Sequence, residues 1–269
     1  MSADFLEAVI LGCGSSTGVP RLGGANGAGE WGACDPANPK NRRRRCSLLV
    51  RRAATTVLVD TSPDLREQLL SARCSRLDAV LVTHPHADQI NGIDDLRALT
   101  FGHGRKIPVH GDRATMELVQ RQFAYCFVPM NGYPAIATAH VLSEPFSEMR
   151  IGGQGEEIPA IAFWQRHGPI DSLGYRFGPL AYSSDVVELD EAAFDVLEGV
   201  DTWIVDSLRY HQHPTHANVE TALRWIERVK PRHAVLTNLN IEIDYGKLKS
   251  ELPEGVEPAY DGMVLRVPL

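Results

Sequence analysis

The sequence is poor in the features that mark a secreted, membrane-spanning or nucleic-acid-coating protein. Among 269 residues it has only five cysteines, Cys13, Cys34, Cys46, Cys74 and Cys126. They are odd in number, widely spaced and without a CxxC pair, in a chain long enough to bury its own core, so disulfides are not expected to hold it together. No stretch approaches the ~18 uninterrupted apolar residues that a membrane-spanning helix needs. The opening MSADFLEAVILGCGSS places acids, not lysines or arginines, ahead of its short apolar run. It does not read as a secretory leader, and a cytoplasmic location is expected. A surplus of basic charge is also missing: 27 lysines and arginines face 34 aspartates and glutamates, a net charge of −7. Bulk binding to nucleic acid rests on neutralising many phosphates at once, and this balance argues against it. Small anions stay within reach wherever a metal ion or local arginines reverse the field.

What is present describes a globular chain, 43% hydrophobic, with no internal linker or charge block, and a single domain over residues 1–269 is expected. Apolar runs at residues 8–11, 47–50, 56–59 and 77–82 read as strands. So do residues 161–164, 173–177, 180–183, 203–205 and 234–236. Helical patterns cover residues 62–72, with Ser62 as N-cap and Pro63 at the first position, then 116–127, 192–197 and 219–229. Strands dominate the first half and alternate with helices in the second, which fits one α/β fold with layered sheets. Residues 12–45 form a glycine- and proline-rich loop without periodicity. Loops beyond about 15 residues inside a domain are usually functional or disordered. Its basic run, Arg42 to Arg45, is either a solvated turn or an edge facing an anion.

The strongest chemical signal lies where the strand at 77–82 ends, in Thr83-His84-Pro85-His86-Ala87-Asp88-Gln89. Two histidines at i and i+2 and a carboxylate two further on, in a loop past a strand end, can converge on one cation. Imidazole nitrogens suit zinc, manganese or iron, and the carboxylate adds a hard anionic ligand. His167 and Asp185 each follow a later expected strand. Alone, either is an ordinary loop residue; in the order HxHxD, His, Asp, each past a strand end, they point to a metal site.

This order resembles the metallo-β-lactamase superfamily. The stretches Leu11 to Pro20 (LGCGSSTGVP), Gly92-Ile93-Asp94-Asp95-Leu96-Arg97 and His213-Pro214-Thr215-His216 are similar to its PhnP-like branch, phosphoribosyl cyclic phosphate phosphodiesterases close to tRNase Z. The resemblance covers nearly the whole chain. It implies an αββα sandwich, two mixed sheets flanked by helices, whose strand-end loops hold one or two metal ions. It assigns His84, His86 and His167 to the first ion, Asp185 as the bridging carboxylate and Asp88 to the second ion. His216 matches the histidine that approaches the scissile phosphate. Two positions depart from the pattern: Gln89 stands where HxHxDH has its last histidine, and Asn238 stands where a later histidine completes the second site. A small structural zinc site, frequent in the branch, is not expected, because Cys34 has no neighbour in a zinc spacing and Ile241 replaces its histidine.

The second site then has two readings. Either it is lost, or Asp88, Asp185, Gln89 and Asn238 form a weak oxygen-rich site for a hard ion. The expectation is a divalent metal, manganese or zinc, with one tightly bound ion and a second that is empty or exchangeable. Such an ion lowers the pKa of a bound water from about 15.7 towards about 7 and supplies hydroxide at neutral pH. Asp88 would orient or deprotonate that water, and His216 would donate a proton to the leaving oxygen or bind a phosphoryl oxygen as imidazolium. Arg209, His211 and His213 would line the substrate pocket, because unpaired cations are costly to bury in a core. Arg97 is either a further phosphate ligand or a surface partner of Asp94. The expected substrate is a small phosphodiester of nucleotide or ribose phosphate type, with no membrane or bulk nucleic-acid partner. Competing readings are a nucleotide- or sugar-phosphate-binding protein that kept one metal, and a hydrolase of thioesters or lactones. A homodimer is the default for such folds, although no interface stripe is legible.

Overall fold

Fourteen strands are laid out in two seven-stranded sheets among residues 4–144 and 146–269, the part described by a computed structural model. Residues 1–3 of the opening segment lie outside the described residues. The first sheet takes β1 (Phe5–Gly12), β2 (Ser47–Arg52), β3 (Thr55–Val59), β4 (Ala79–Leu81), β5 (Ile107–Gly111) and β6 (Ala137–Val141). The second takes β7 (Met149–Ile151), β8 (Ile158–His167), β9 (Ile170–Phe177), β10 (Leu180–Ser183), β11 (Thr202–Asp206), β12 (His233–Thr237) and β13 (Val256–Pro258). The last strand, β14 (Val264–Pro268), returns to the first sheet beside β1. Helices α1 (Leu65–Ser71), α2 (Ala87–Ile90), α3 (Leu96–His103), α4 (Arg113–Gln122) and α5 (Ala124–Phe127) follow strands of the first sheet. Helices α6 (Glu191–Leu197), α7 (Val219–Val229) and α8 (Tyr245–Glu251) follow strands of the second.

The strands are apolar on both faces because both faces are covered. Along β1, Leu6, Ala8 and Ile10 point into the layer between the sheets, whereas Val9 and Leu11 point outward to the helices. The same period of two sends Leu48, Val57, Val59 and Leu81 inward and Leu49, Leu58 and Val80 outward. Across the layer they meet Ala160, Leu173, Tyr175, Phe177 and Ile204. Each fully buried side chain of this size contributes about 1.5–3 kcal/mol. A third cluster packs Val205, Leu236, Ala222 and Leu248 outside the second sheet, so the order is helix, sheet, sheet, helix.

Three local readings change. Residues 116–127 are two helices, not one: at Phe123 the backbone leaves the helical region (φ −118°, ψ 41°) before α5 starts. Ser62 does not cap α1, which begins after Asp64; its hydroxyl accepts from Asp64 N and donates to Gln68 Oε1. The basic run is not a solvated turn: Arg42 to Arg45 line an open cavity together with Thr17, Arg21 and Pro39. Arg43 is buried, at 2% exposure, against Asn41 Oδ1 and the Asn240 carbonyl, while Arg44 and Arg45 pair with Asp261 and Asp64. No helix among the described residues is long and apolar enough to cross a membrane.

The topology collects strand ends at one edge. β3, β4 and β5 run parallel, as do β10, β11 and β12. Their carboxyl ends therefore open on loops at the same edge of each sheet, the usual place for ligands in such sheets. There the sheets are stitched together: Leu173 N donates to Thr83 O and the Tyr175 hydroxyl to Val82 O, each at 2.8 Å.

Candidate metal centre and active site

Past the end of β4, Pro85 keeps the residue before it out of the helical region, and the chain stays extended through His86 (φ −69°, ψ 150°) until α2 begins. In an extended chain, residues i and i+2 share a side. His84 Nε2 accordingly lies 3.0 Å from His86 Nδ1, and His167, at the end of β8, brings its Nε2 to 3.2 Å from the same atom.

Their outer partners fix where the protons sit. His167 Nδ1 donates to the Thr215 carbonyl at 2.7 Å, which leaves a lone pair on Nε2 of the neutral ring. Thr83 Oγ1 donates to Asp60 Oδ2 and so accepts from His84 Nδ1 at 3.0 Å, leaving His84 Nε2 bare as well. Burial and the neighbouring imidazoles hold His84 well below the usual histidine range, and burial lowers His86 and His167 too. Three inward nitrogens at such distances can share one proton at most. Converging lone pairs with outer hydrogen bonds that set the tautomers are what a divalent cation requires, so the residues present fit one.

Asp185, past β10 in a left-handed backbone (φ 53°), places Oδ1 4.0 Å from His84 Nε2 and from His167 Nε2, and 3.9 Å from His216 Nε2. His167, Asp185 and His216 thus form a second group of three convergent ligand atoms. His216 Nδ1 is 2.8 Å from Asp206 Oδ2, at the end of β11. Burial pulls His216 down, but the carboxylates of Asp206, Asp185 and Asp88 outweigh it and lift the imidazole to about 9. Asp88 is pushed up to about 6 by burial and by Asp185.

The two amides lie among these groups. Gln89 Nε2 donates to Asp88 Oδ2 at 3.1 Å and to Asp185 Oδ2 at 3.3 Å, and its buried Oε1 has no partner among the described residues. Asn238, also left-handed (φ 63°), places Nδ2 3.2 Å from His216 Nδ1. Both therefore turn their NH2 groups toward these side chains.

A family model described as a beta-lactamase superfamily domain matches residues 55–237. The chain belongs to the metallo-β-lactamase superfamily. Within the superfamily it falls in the PhnP-like branch: a solved structure described as a new diphosphatase from the PhnP family is 30% identical, covers 98% of both chains and superposes with a TM-score of 0.87. An octanoyltransferase of Porphyromonas gingivalis is 29% identical over 96% of this chain and 51% of its own length. A ribonuclease Z of Bradyrhizobium is 29% identical over 52% of this chain and 46% of its own length. The chain thus spans about half the length of the curated relatives it matches.

Against the superfamily pattern, the fold brings His84, His86, His167, Asp185, Asp88, Gln89, Asn238 and His216 to one place. His213 joins them, its ring centroid 5.1 Å from that of His216. Arg209 and His211 do not face this pocket. The Arg209 guanidinium donates to the carbonyls of His211 and Gln212 and lies 3.8 Å from Glu242, so it braces the loop, and His211 is exposed. Arg97 pairs with Asp94 and stands over Phe101 and Tyr125, the surface reading of that residue. The supporting roles of Asp60, Thr83, Asp206 and Thr215 were not legible in the sequence. Asp206 closes an apolar strand, as Asp185 follows one, and that signal was available.

Proposed function

We propose that this chain is a metal-dependent hydrolase of small phosphodiesters, of nucleotide or ribose phosphate type. The carrying observation is the placement of an imidazole, His216, held 2.8 Å from the Asp206 carboxylate beside the three-histidine cluster and 3.9 Å from Asp185. The names printed for the relatives, a PhnP-family diphosphatase and a ribonuclease Z, support phosphate-ester chemistry. His84, His86 and His167 would hold the ion, manganese or zinc, with Asp185 as the anionic ligand. Once bound, it supplies Lewis acidity, polarising phosphoryl oxygen and acidifying water. His216, kept protonated by Asp206, donates a proton to the leaving oxygen or a hydrogen bond to a phosphoryl oxygen. Asp88 accepts a proton from the attacking water, and His213 contacts the phosphate. Because Gln89 takes one oxygen of each of Asp88 and Asp185, a single tightly held ion is proposed, with the second place empty or exchangeable. No structural zinc is proposed: Cys34 Sγ points at the backbone carbonyls of Ile241 and Ile243.

Turnover of bis(p-nitrophenyl) phosphate with manganese or zinc tests this reading. His216→Gln is expected to cut kcat by roughly 10²–10³ on a diester with an alkoxide leaving group, such as a 2′,3′-cyclic nucleotide, within the range of general acid catalysis, and much less on bis(p-nitrophenyl) phosphate, whose nitrophenolate leaves unprotonated, while the bound metal stays. Background rates for the metal-loaded wild type would favour the second reading, a metal-dependent nucleotide- or sugar-phosphate-binding protein. The amides at Gln89 and Asn238 are the observation behind that alternative.

A further inference from the structure

A cavity of about 380 Å3 opens directly beside His216, within the roughly 300–1,000 Å3 of small-molecule sites. His213 and His216 form part of its wall, and Glu188, Arg224 and Trp225 complete it. The helix α7 explains the juxtaposition. Asn218 caps it, and Thr221, Arg224 and Trp225 follow at steps of three and four on the face toward the cavity. Trp225 therefore stands about 10 Å along the helix from the cap, at 1.5 Å per residue. Its ring is half-buried against the outer core cluster of the second sheet and still lines the cavity. It is an aromatic surface backed by the core.

The charges on the wall orient an occupant. Among the described residues no cation lies within ion-pair distance of Glu188, so its exposed carboxylate repels a phosphate and accepts N–H or O–H donors. The other cation on the wall, Arg224, is partnered by Thr221 Oγ1 and Glu220, which leaves the side of His213 and His216, next to the ligand cluster, as the place for the phosphoryl group. A bare ribose phosphate held there would leave the Trp225 surface without a partner. A ribose carrying a base extends the molecule along α7 and lays a π face on the indole, an interaction that tolerates any base.

Resting on the phosphodiesterase reading, we propose that the cavity is a nucleoside subsite, in which Trp225 stacks the base and Glu188 accepts a hydrogen bond from it, so that nucleotide diesters are preferred over base-free ribose phosphates. The test compares a 2′,3′-cyclic nucleotide with the cyclic phosphate of a base-free ribose, both followed by 31P NMR, in the wild type, Trp225→Ala, Trp225→Phe and Glu188→Gln. Binding of guanosine monophosphate to the metal-loaded proteins is measured by calorimetry alongside. Stacking contributes ~1–3 kcal/mol per base, so Trp225→Ala should raise KM for the nucleotide at least about fivefold and leave the base-free diester unchanged. Trp225→Phe, which keeps an aromatic face and most of the packing, should recover most of that loss. Glu188→Gln, at an exposed position, should weaken guanosine monophosphate several-fold without altering the fold. Equal KM for the two diesters, unmoved by Trp225→Ala, overturns the subsite while hydrolysis stands. Guanosine monophosphate bound in a Trp225-dependent way by a protein that hydrolyses nothing keeps the subsite and removes the phosphodiesterase reading.

Discussion

Gln89 is where this site departs most from its superfamily. An imidazole there would offer a lone pair to a second ion. The amide instead donates from one nitrogen to Asp88 and Asp185, and a neutral donor does part of the charge-spreading between two carboxylates that a cation would otherwise do. Gln89→His should remove that bridge and add a ligand. Metal analysis after dialysis is then expected to rise from one ion per chain to two, whereas two tightly held ions in the wild type would show that Gln89 is no obstacle. The substitutions at Gln89 and Asn238 were legible as single letters in the sequence. The direction in which each amide points was not, because it depends on Asp185 and His216, which are distant in sequence and meet only in the folded chain.

The strands and helices show why some of the fold was readable and some was not. β1, β2, β3 and β10 to β12 lie inside the sandwich, covered on both faces, and their unbroken apolar runs announce them. The missed strands are β5, β6, β7, β13 and β14, which carry histidines, threonines, prolines or arginines because they lie toward the outer sides of the sheets. In β5, His110 stacks on His140 of β6, with centroids 4.8 Å apart. Burial and the neighbouring His140 push His110 down to about 4, against about 6.5 in an unfolded chain. A depressed folded value makes this contribution to stability complete above about pH 6.5 and progressively lost as the pH falls towards 4, because the unfolded chain takes up the proton first. Urea midpoints at pH 7.5 and pH 5 should differ less in His110→Gln than in the wild type, and an identical loss in both would remove His110 as a cause. Nearer the site, the Tyr175 hydroxyl of β9 reaches the Val82 carbonyl just ahead of the metal loop. Tyr175→Phe leaves that buried carbonyl unpaired, at a cost of about 1–3 kcal/mol. Chemical denaturation should show the loss together with weaker metal retention, and unaltered stability would mean that the carbonyl finds another donor.

At the scale of the whole molecule, the candidate site is also a joint. His84 and His86 hang from the first sheet, and His167 and Asp185 from the second. Polar contacts such as Leu173 to Thr83, Tyr175 to Val82 and Leu239 to Cys13 cross between the sheets at this edge beside the apolar layer. An ion held by all four side chains would bind the folded arrangement and not the unfolded chain. Its stabilisation then follows mass action, about 2.7 kcal/mol when the free metal is a hundred times its Kd. For a chain of this length, where each kcal/mol moves Tm by about 2–4 °C, saturating manganese or zinc should raise Tm by roughly 5–10 °C and a chelator should reverse the rise. His84→Ala should abolish the shift because it removes a ligand from one sheet, and Asp185→Asn should reduce it because it removes the anion from the other. A metal-induced rise that survives in both variants would place the ion elsewhere and break the link between the two sheets and the chemistry at their shared edge.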